Sequence, residues 1–130
     1  MKRVHRVAGV IALAVFLATG VYMRTHFPGI YRGDAGIRMQ FRASHIYILL
    51  TALLNIGIGT YFFPQAQRWR RVLQRLGSIL ILPATPLVIA AFFYEPPRGS
   101  MQRPVTLLAV ILLLAGTLSH LASGVSGEKR

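Results

Sequence analysis

The chain combines a small size with high hydrophobicity and a strong positive charge. It has 130 residues, of which 54% are hydrophobic, and its 15 Lys and Arg against 3 acids give a net charge of +12. A soluble core of this size cannot bury so much apolar surface, so part of that surface must face lipid. The absence of Cys excludes disulfides, thiolate metal sites and thiol nucleophiles.

The cations lie between the apolar stretches of the chain or at their ends. Four long segments contain no Lys or Arg, namely 7–23, 43–67, 76–97 and 104–128. A cation near the centre of a bilayer costs about 2.5 to 3.5 kcal/mol on insertion scales, so membrane proteins keep their cations outside the hydrocarbon. Net charge alone would suggest a nucleic-acid partner. This placement instead predicts a lipid bilayer as the partner and no nucleic acid.

Four apolar stretches predict a single membrane domain that covers residues 1–130. They run about Val4–Met23, Ser44–Phe63, Val72–Tyr94 and Val105–Ser123. Each is near the roughly 20 residues that a helix needs to cross about 30 Å of hydrocarbon. None alternates polar and apolar residues as the strands of a membrane barrel do. The predicted fold is therefore all-α, an integral membrane four-helix bundle.

The segment Tyr22–Arg42 is the longest predicted stretch outside the membrane. It contains two groups of residues that are typical of turns, Phe27-Pro28-Gly29 and Arg32-Gly33-Asp34-Ala35-Gly36. We therefore predict turns at both places. Asp34 is expected to pair locally with Arg32 or Arg38.

The second span carries a stripe of polar and small residues. His45, Ala52, Asn55 and Gly59 are spaced by seven, three and four residues, which places them on one side of a helix, and Thr51 lies one turn before Asn55. An amide without partners is costly near the middle of a bilayer, so we expect Asn55 to hydrogen-bond another helix. A ligand or quinone contact at Asn55 stays open as the alternative.

The third span contains Pro83 and Pro86, and each proline removes a backbone donor and disturbs the preceding turn. The pair predicts a kink or break in the helix. Ordinary helix packing accounts for such prolines, and the alternative is a break that exposes carbonyls to an ion in a transporter. Glu95 ends this span, and we expect it to pair with Arg98 or Arg42.

The four histidines fall into two groups. His5 and His120 lie near one membrane surface, and His26 and His45 lie near the other. Facing imidazoles on neighbouring helices of a bundle are what bis-histidine ligation of a b-type haem requires, so all four are candidate cofactor ligands. His45 is the preferred candidate because it is aligned with Asn55. We predict no catalytic residues and no separate metal site.

The distribution of cations predicts the orientation in the membrane. Nine of the 15 Lys and Arg lie at the termini and in 68–75, and six lie in the other two connections. Positively charged connections stay in the cytoplasm. We therefore expect a multi-pass protein of a bacterial inner membrane with both termini in the cytoplasm.

The main functional hypothesis is a small non-enzymatic subunit, assembly factor or scaffold of an inner-membrane complex. It rests on the small extramembrane portion and on the lack of an acid in the middle of any span, which leaves other membrane subunits or further copies of the chain as partners. The first alternative is a redox module that binds haem or quinone. The second is a small oligomeric transporter or channel in which Asn55 and the prolines of the third span line the pathway.

Overall fold

The computed structural model describes residues 1–61 and 65–124, and within them the chain is almost entirely helical. The four α-helices are α1 (Lys2–Ile30), α2 (Ala35–Tyr61), α3 (Arg68–Tyr94) and α4 (Pro104–Gly124), and a 3-10 turn at Pro96–Arg98 precedes α4. These described residues contain no β-strand. The predicted all-α four-helix fold is confirmed.

All four helices are long and apolar enough to cross a membrane. The shortest, α4, has 21 residues, which corresponds to about 32 Å at a rise of 1.5 Å per residue. A bilayer core is about 30 Å thick. The helices are therefore consistent with a multi-pass membrane protein.

The helices form two hairpins that meet along α2 and α3. The most extensive contacts join α1 to α2 and α3 to α4, and the contact between α2 and α3 is smaller. Because successive helices run in opposite directions, the start of α1, the described part of the α2–α3 connection and the end of α4 lie at one end of the bundle, which we call the terminal end. The other two connections lie at the opposite end, which we call the loop end.

Glycines bring the helices of each hairpin into close backbone contact. A Cβ atom on Gly77 of α3 would lie 2.7 Å from the carbonyl oxygen of Gly116 of α4, and a Cβ atom on Gly116 would lie 2.8 Å from the carbonyl oxygen of Gly77. In the first hairpin a Cβ atom on Gly9 would lie 2.8 Å from the amide nitrogen of Ile56. Helix association in lipid depends on such close packing because the hydrophobic effect does not favour it.

Aromatic side chains fill the core at the loop end. The ring of Phe41 in α2 lies 5.1 Å from that of Phe92 in α3 and 5.5 Å from that of Phe27 in α1, measured between centroids. Phe41 and Phe92 are fully buried. Edge-to-face and tilted contacts at these distances are favourable for aromatic pairs.

The turn predicted at Phe27-Pro28-Gly29 is wrong, because α1 continues through Pro28 to Ile30. Burial of Phe27 against Phe41 explains how tertiary packing overrides the local turn preference. The first connection therefore covers only residues 31–34. Asp34 begins α2 as its N-cap, since one of its carboxylate oxygens accepts a hydrogen bond of 2.9 Å from the amide of Ile37.

The predicted bend in α3 is confirmed at its proline-rich segment, which contains Pro83 and Pro86. This helix begins at Arg68, four residues before the predicted span, so Arg68, Arg70 and Arg71 belong to its first turn. The predicted end of the second span at Phe63 lies outside the described residues.

Candidate site: a polar network that joins the four helices

Polar side chains from all four helices form a connected set that extends from the terminal end toward the middle of the bundle. His5 comes from α1, Asn55 from α2, Ser78 and Thr85 from α3, and His120 from α4. We call these five residues the polar network. His5, Asn55 and Ser78 are fully buried, and Thr85 is 4% exposed. The network therefore lies in the interior of the bundle, where a polar group without a partner would be costly.

His5 is the central member of the polar network. Its Nδ1 lies 2.7 Å from Oδ1 of Asn55, and its Nε2 lies 2.9 Å from the hydroxyl of Ser78. The same hydroxyl lies 3.3 Å from Nε2 of His120. One hydroxyl on α3 thus connects the imidazole of α1 with that of α4.

Asn55 extends the polar network along α2 and into α3. Its amide nitrogen donates to the hydroxyl of Thr85 at 3.0 Å and to the carbonyl oxygen of Thr51 at 2.9 Å. Both polar atoms of the Asn55 side chain therefore have partners on three helices. The structure places Asn55 against neighbouring helices, with its side chain away from the lipid.

These partners fix the direction of the hydrogen bonds when both imidazoles are neutral. Because Oδ1 of Asn55 can only accept, Nδ1 of His5 must carry the proton and donate. Nε2 of His5 then accepts from the hydroxyl of Ser78, and that hydroxyl accepts from Nε2–H of His120. The result is a continuous chain of hydrogen bonds from α4 through α3 and α1 to α2.

The close approach of α3 and α4 brings His120 to the polar network. Gly77 precedes Ser78, and a Cβ atom on Gly77 would lie 2.5 Å from Cδ2 of His120. A larger residue at position 77 would therefore displace the imidazole as well as α4. The rings of His5 and His120 lie 6.2 Å apart at an interplanar angle of 82°.

His120 also lines an open groove of about 560 Å³ between α2 and α4, to which α3 contributes Gln74. The walls are mainly apolar, and the polar side chains occur toward α3 and the terminal end. The lining residues are Leu50, Leu53, Leu54, Gly57, Ile58, Tyr61, Gln65, Gln74, Thr117, His120, Leu121, Ser123 and Gly124. We call this feature the α2–α4 groove.

The structure brings His5 and His120 together, whereas His26 and His45 have separate partners. The imidazole of His45 stacks on Phe16 at 4.0 Å between centroids, and its Nδ1 lies 2.9 Å from the hydroxyl of Thr19. His26 is exposed and stacks on Tyr22 of its own helix at 4.4 Å. Two of the four candidate ligands thus belong to the polar network.

Cofactor binding at the polar network would require its rearrangement. Both ring nitrogens of His5 already have side-chain partners, so His5 can bind a metal only after one of these hydrogen bonds breaks. Within residues 1–61 and 65–124, no group of three or more His, Asp or Glu is arranged to hold a metal ion. A haem iron would therefore have to replace one of the hydrogen-bond partners of His5.

A second polar cluster joins α3 to α4 at the loop end. The carboxylate of Glu95, which is 3% exposed, accepts hydrogen bonds from the amides of Val105 and Thr106, at 2.7 Å and 3.2 Å. It also pairs with Nε of Arg103 at 3.5 Å, and Arg103 donates to the hydroxyl of Ser44 in α2. The predicted pairing of Glu95 with Arg98 or Arg42 is wrong. Arg103 is the partner because it precedes the amides that Glu95 caps.

Sequence reasoning missed Ser78 and Thr85, which connect the histidines and Asn55 through α3. Their spacing of seven residues places them on the same side of that helix. Gly77 next to Ser78 was a further signal of a close helix contact. Such a pattern could have marked the polar side of α3, but it could not have identified the partners on the other helices.

Comparisons of the chain with protein-family models, with curated proteins and with solved structures found no match.

Proposed function

We propose that this chain is a non-enzymatic membrane subunit, assembly factor or scaffold that binds a transmembrane helix of a partner in the α2–α4 groove. The observation that carries the proposal is the open side of the bundle. In a closed four-helix bundle each helix packs against two neighbours. Here α4 packs extensively on α3 and makes no comparable contact with α1 or α2.

The side chains that line the α2–α4 groove are suited to packing against one face of a partner helix. Its walls carry Leu50, Leu54 and Ile58, which repeat every four residues along α2. Gly57 contributes a flat surface, because a Cβ atom added there would meet nothing within 4 Å. Small and apolar residues of this kind allow close van der Waals packing, which drives helix association in lipid.

The internal hydrogen bonds support a structural role for the polar network. His5 and Asn55 direct their polar atoms to side chains of the same chain. The network thereby stabilises one arrangement of the helices, and a fixed arrangement presents a preformed groove to a partner.

Site-specific photocrosslinking in native membranes tests this proposal. A benzophenone amino acid at Leu121, which is 58% exposed and lines the groove, should give a protein adduct of one discrete mass. The same amino acid at Leu17 of α1, which is 62% exposed and lies outside the groove, is the control and should react with lipid alone. Only lipid adducts at Leu121 would contradict the proposal. A protein adduct of equal yield at both positions would also contradict it.

A haem- or quinone-binding redox module is the second candidate. The convergence of His5 and His120 on one hydroxyl, beside a groove open to lipid, favours it. An absorption spectrum of the purified protein, oxidised and then reduced with dithionite, tests the haem form. A Soret band that is lost in His120→Ala would support haem binding, and a featureless spectrum would exclude a resident haem. Retention of a quinone that depends on His120 would support the quinone form.

The location that we propose is a bacterial inner membrane with the terminal end in the cytoplasm. Within the described residues, the terminal end carries seven Lys and Arg and no acid, and the loop end carries six Arg. Both acids in the described part of the chain, Asp34 and Glu95, lie at the loop end. This asymmetry follows the positive-inside distribution.

A further inference from the structure

The first turn of α3 carries positive charge where a helix is least able to stabilise it. Arg68, Arg70 and Arg71 lie in this turn, which contains no acid, and the N-cap Gln67 makes no side-chain capping hydrogen bond. The N-terminus of a helix bears a partial positive charge and unpaired amide groups, so cations there are unfavourable and anions are favourable. The combination favours the binding of an anion at this turn.

Described residues of the terminal end provide no carboxylate that could neutralise these arginines. Asp34 and Glu95 belong to the opposite end of the bundle. Lys2 and Arg3 of α1 add further positive charge at the same end as the arginines. The electrostatic potential of this end therefore attracts anions at the level where the helices leave the membrane.

Arg70 distinguishes this turn from an ordinary solvated basic surface. Its side chain is only 5% exposed, and its Nε has no hydrogen-bond partner. A buried guanidinium N–H that lacks an acceptor is costly, whereas an oxyanion would satisfy it with a charge-assisted hydrogen bond. The guanidinium carbon lies 5.2 Å from the ring centroid of Trp69.

Trp69 connects the guanidinium of Arg70 to an apolar hollow of about 610 Å³. Arg68, Trp69, Val72 and Leu73 line this hollow, and Trp69 and Val72 are 52% and 49% exposed. An exposed Trp beside cations and apolar side chains is typical of the membrane–water interface. A ligand that fits must combine a negative charge with an apolar portion.

We propose that the first turn of α3 is a binding site for the phosphodiester headgroup of an anionic phospholipid. The phosphate accepts hydrogen bonds from Arg70 and from the free amides of the first turn, and it neutralises the charge of Arg68 and Arg71. The acyl chains pack against Trp69 and Val72. This site differs from the α2–α4 groove and does not depend on the proposed partner helix.

Fluorescence quenching of Trp69 by brominated lipids tests this site, because the chain contains one Trp. The full chain is reconstituted in phosphatidylcholine vesicles, and brominated phosphatidylglycerol or brominated phosphatidylcholine is added. The anionic lipid should quench at a lower mole fraction than the zwitterionic lipid. Arg70→Gln should reduce this preference about fivefold, the effect expected of one cation near an anionic lipid surface.

Arg75→Gln is the matched control. Arg75 is exposed and lies one turn further along α3 at the same end of the bundle, so its removal changes the net charge equally. It should reduce the preference less than about twofold, because salt and water screen an exposed charge. Equal losses in the two variants would overturn the proposal and indicate a general surface potential. Equal quenching of the parent chain by both lipids would overturn it as well.

Two further measurements keep the test decisive. Arg70→Lys retains the charge but lacks the planar fork of donors, so this variant should show a weaker preference for the anionic lipid. Arg75→Lys should keep the preference of the parent chain. If Arg70→Gln fails to fold, the comparison of Arg70→Lys with Arg75→Lys replaces it. Inorganic phosphate at tens of millimolar should leave the preference unchanged, and its loss would show that the site takes free phosphate instead of a lipid.

Discussion

Asn55 and His5 illustrate how single buried side chains join the helices of a bundle. Their hydrogen bond of 2.7 Å connects α1 and α2, and the bond of 3.0 Å from Asn55 to Thr85 connects α2 and α3. In lipid the hydrophobic effect does not favour contact between apolar helices, so hydrogen bonds and close packing decide which faces meet. Each polar residue of the network therefore specifies an orientation of its helix.

Asn55→Leu is predicted to destabilise the bundle by about 1 to 2 kcal/mol. The change removes hydrogen bonds to two helices and leaves Nδ1 of His5 without an acceptor. Reversible unfolding in mixed micelles measures the loss. Leu53→Ala in the same helix, at a position 56% exposed to lipid, should cost less than about 0.5 kcal/mol. Equal stabilities of the two variants would contradict a bonding role for Asn55.

The polar network could be predicted from the sequence only in part. The cost of an unpaired amide in a membrane predicts that Asn55 has a partner, and the positions of His5 and His120 place them at one end. Helix rotation and neighbour order decide which side chains meet, and neither follows from one sequence. For this reason Ser78 and Thr85 were missed, although both lie on the polar side of α3.

At the scale of the helices, the glycine contact between α3 and α4 controls both packing and the position of His120. Gly77 and Gly116 oppose each other so closely that neither position can accept a Cβ atom without movement. Gly57 of α2 is different, because a Cβ atom there would meet nothing within 4 Å. The two environments give a matched pair of substitutions.

Gly77→Ala is predicted to destabilise the bundle by about 1 to 3 kcal/mol, the usual range for overpacking. Gly57→Ala should be neutral or stabilising by up to about 1 kcal/mol, because alanine has the higher helix propensity. Unfolding measurements on both variants check this difference. Equal stabilities of Gly77→Ala and Gly57→Ala would contradict the close approach of α3 and α4 at Gly77.

The two helix caps at the loop end differ in burial and should differ in energetic effect. Glu95→Ala removes a carboxylate that is 3% exposed, uncaps α4 and leaves the charge of Arg103 without its carboxylate. We expect a loss of about 2 to 4 kcal/mol. Asp34→Ala removes the exposed cap of α2 and should cost about 1 kcal/mol. A larger loss for Asp34→Ala in unfolding measurements would contradict the assigned role of Glu95.

Helix boundaries were harder to predict than helix number. Hydropathy identifies where a chain enters hydrocarbon, but helices continue through the interface for as long as packing and capping allow. Thus α1 passes Pro28 because Phe27 is buried, and α2 begins at Ala35 because Asp34 caps it. The aromatic contacts that stabilise these extensions are tertiary, so the local turn preference gave a wrong boundary.

The whole molecule is asymmetric in both charge and packing. Among the described residues, its terminal end carries seven Lys and Arg and no acid, whereas its loop end carries six Arg and both acids. Aromatic rings and the Glu95–Arg103 pair stabilise the loop end. Among the four spans, α3 is the most buried. In α3, 44% of the apolar 18-residue segment is buried, compared with 22% in α1 and in α4. The helix α3 therefore lies at the centre of the bundle, and α1 and α4 each expose a large face to lipid or to a partner.

Single-cysteine labelling tests the four membrane crossings most directly, because the natural chain contains no Cys. Gly33→Cys, Gln67→Cys and Gln102→Cys place one thiol in each connection, and all three positions are exposed. Sealed vesicles of one orientation are treated with a thiol reagent that does not cross the membrane. Either Gly33→Cys and Gln102→Cys should react at once and Gln67→Cys only after permeabilisation, or Gln67→Cys should react at once and the other two only after permeabilisation. Equal labelling of all three connections from one side would contradict the four-span arrangement.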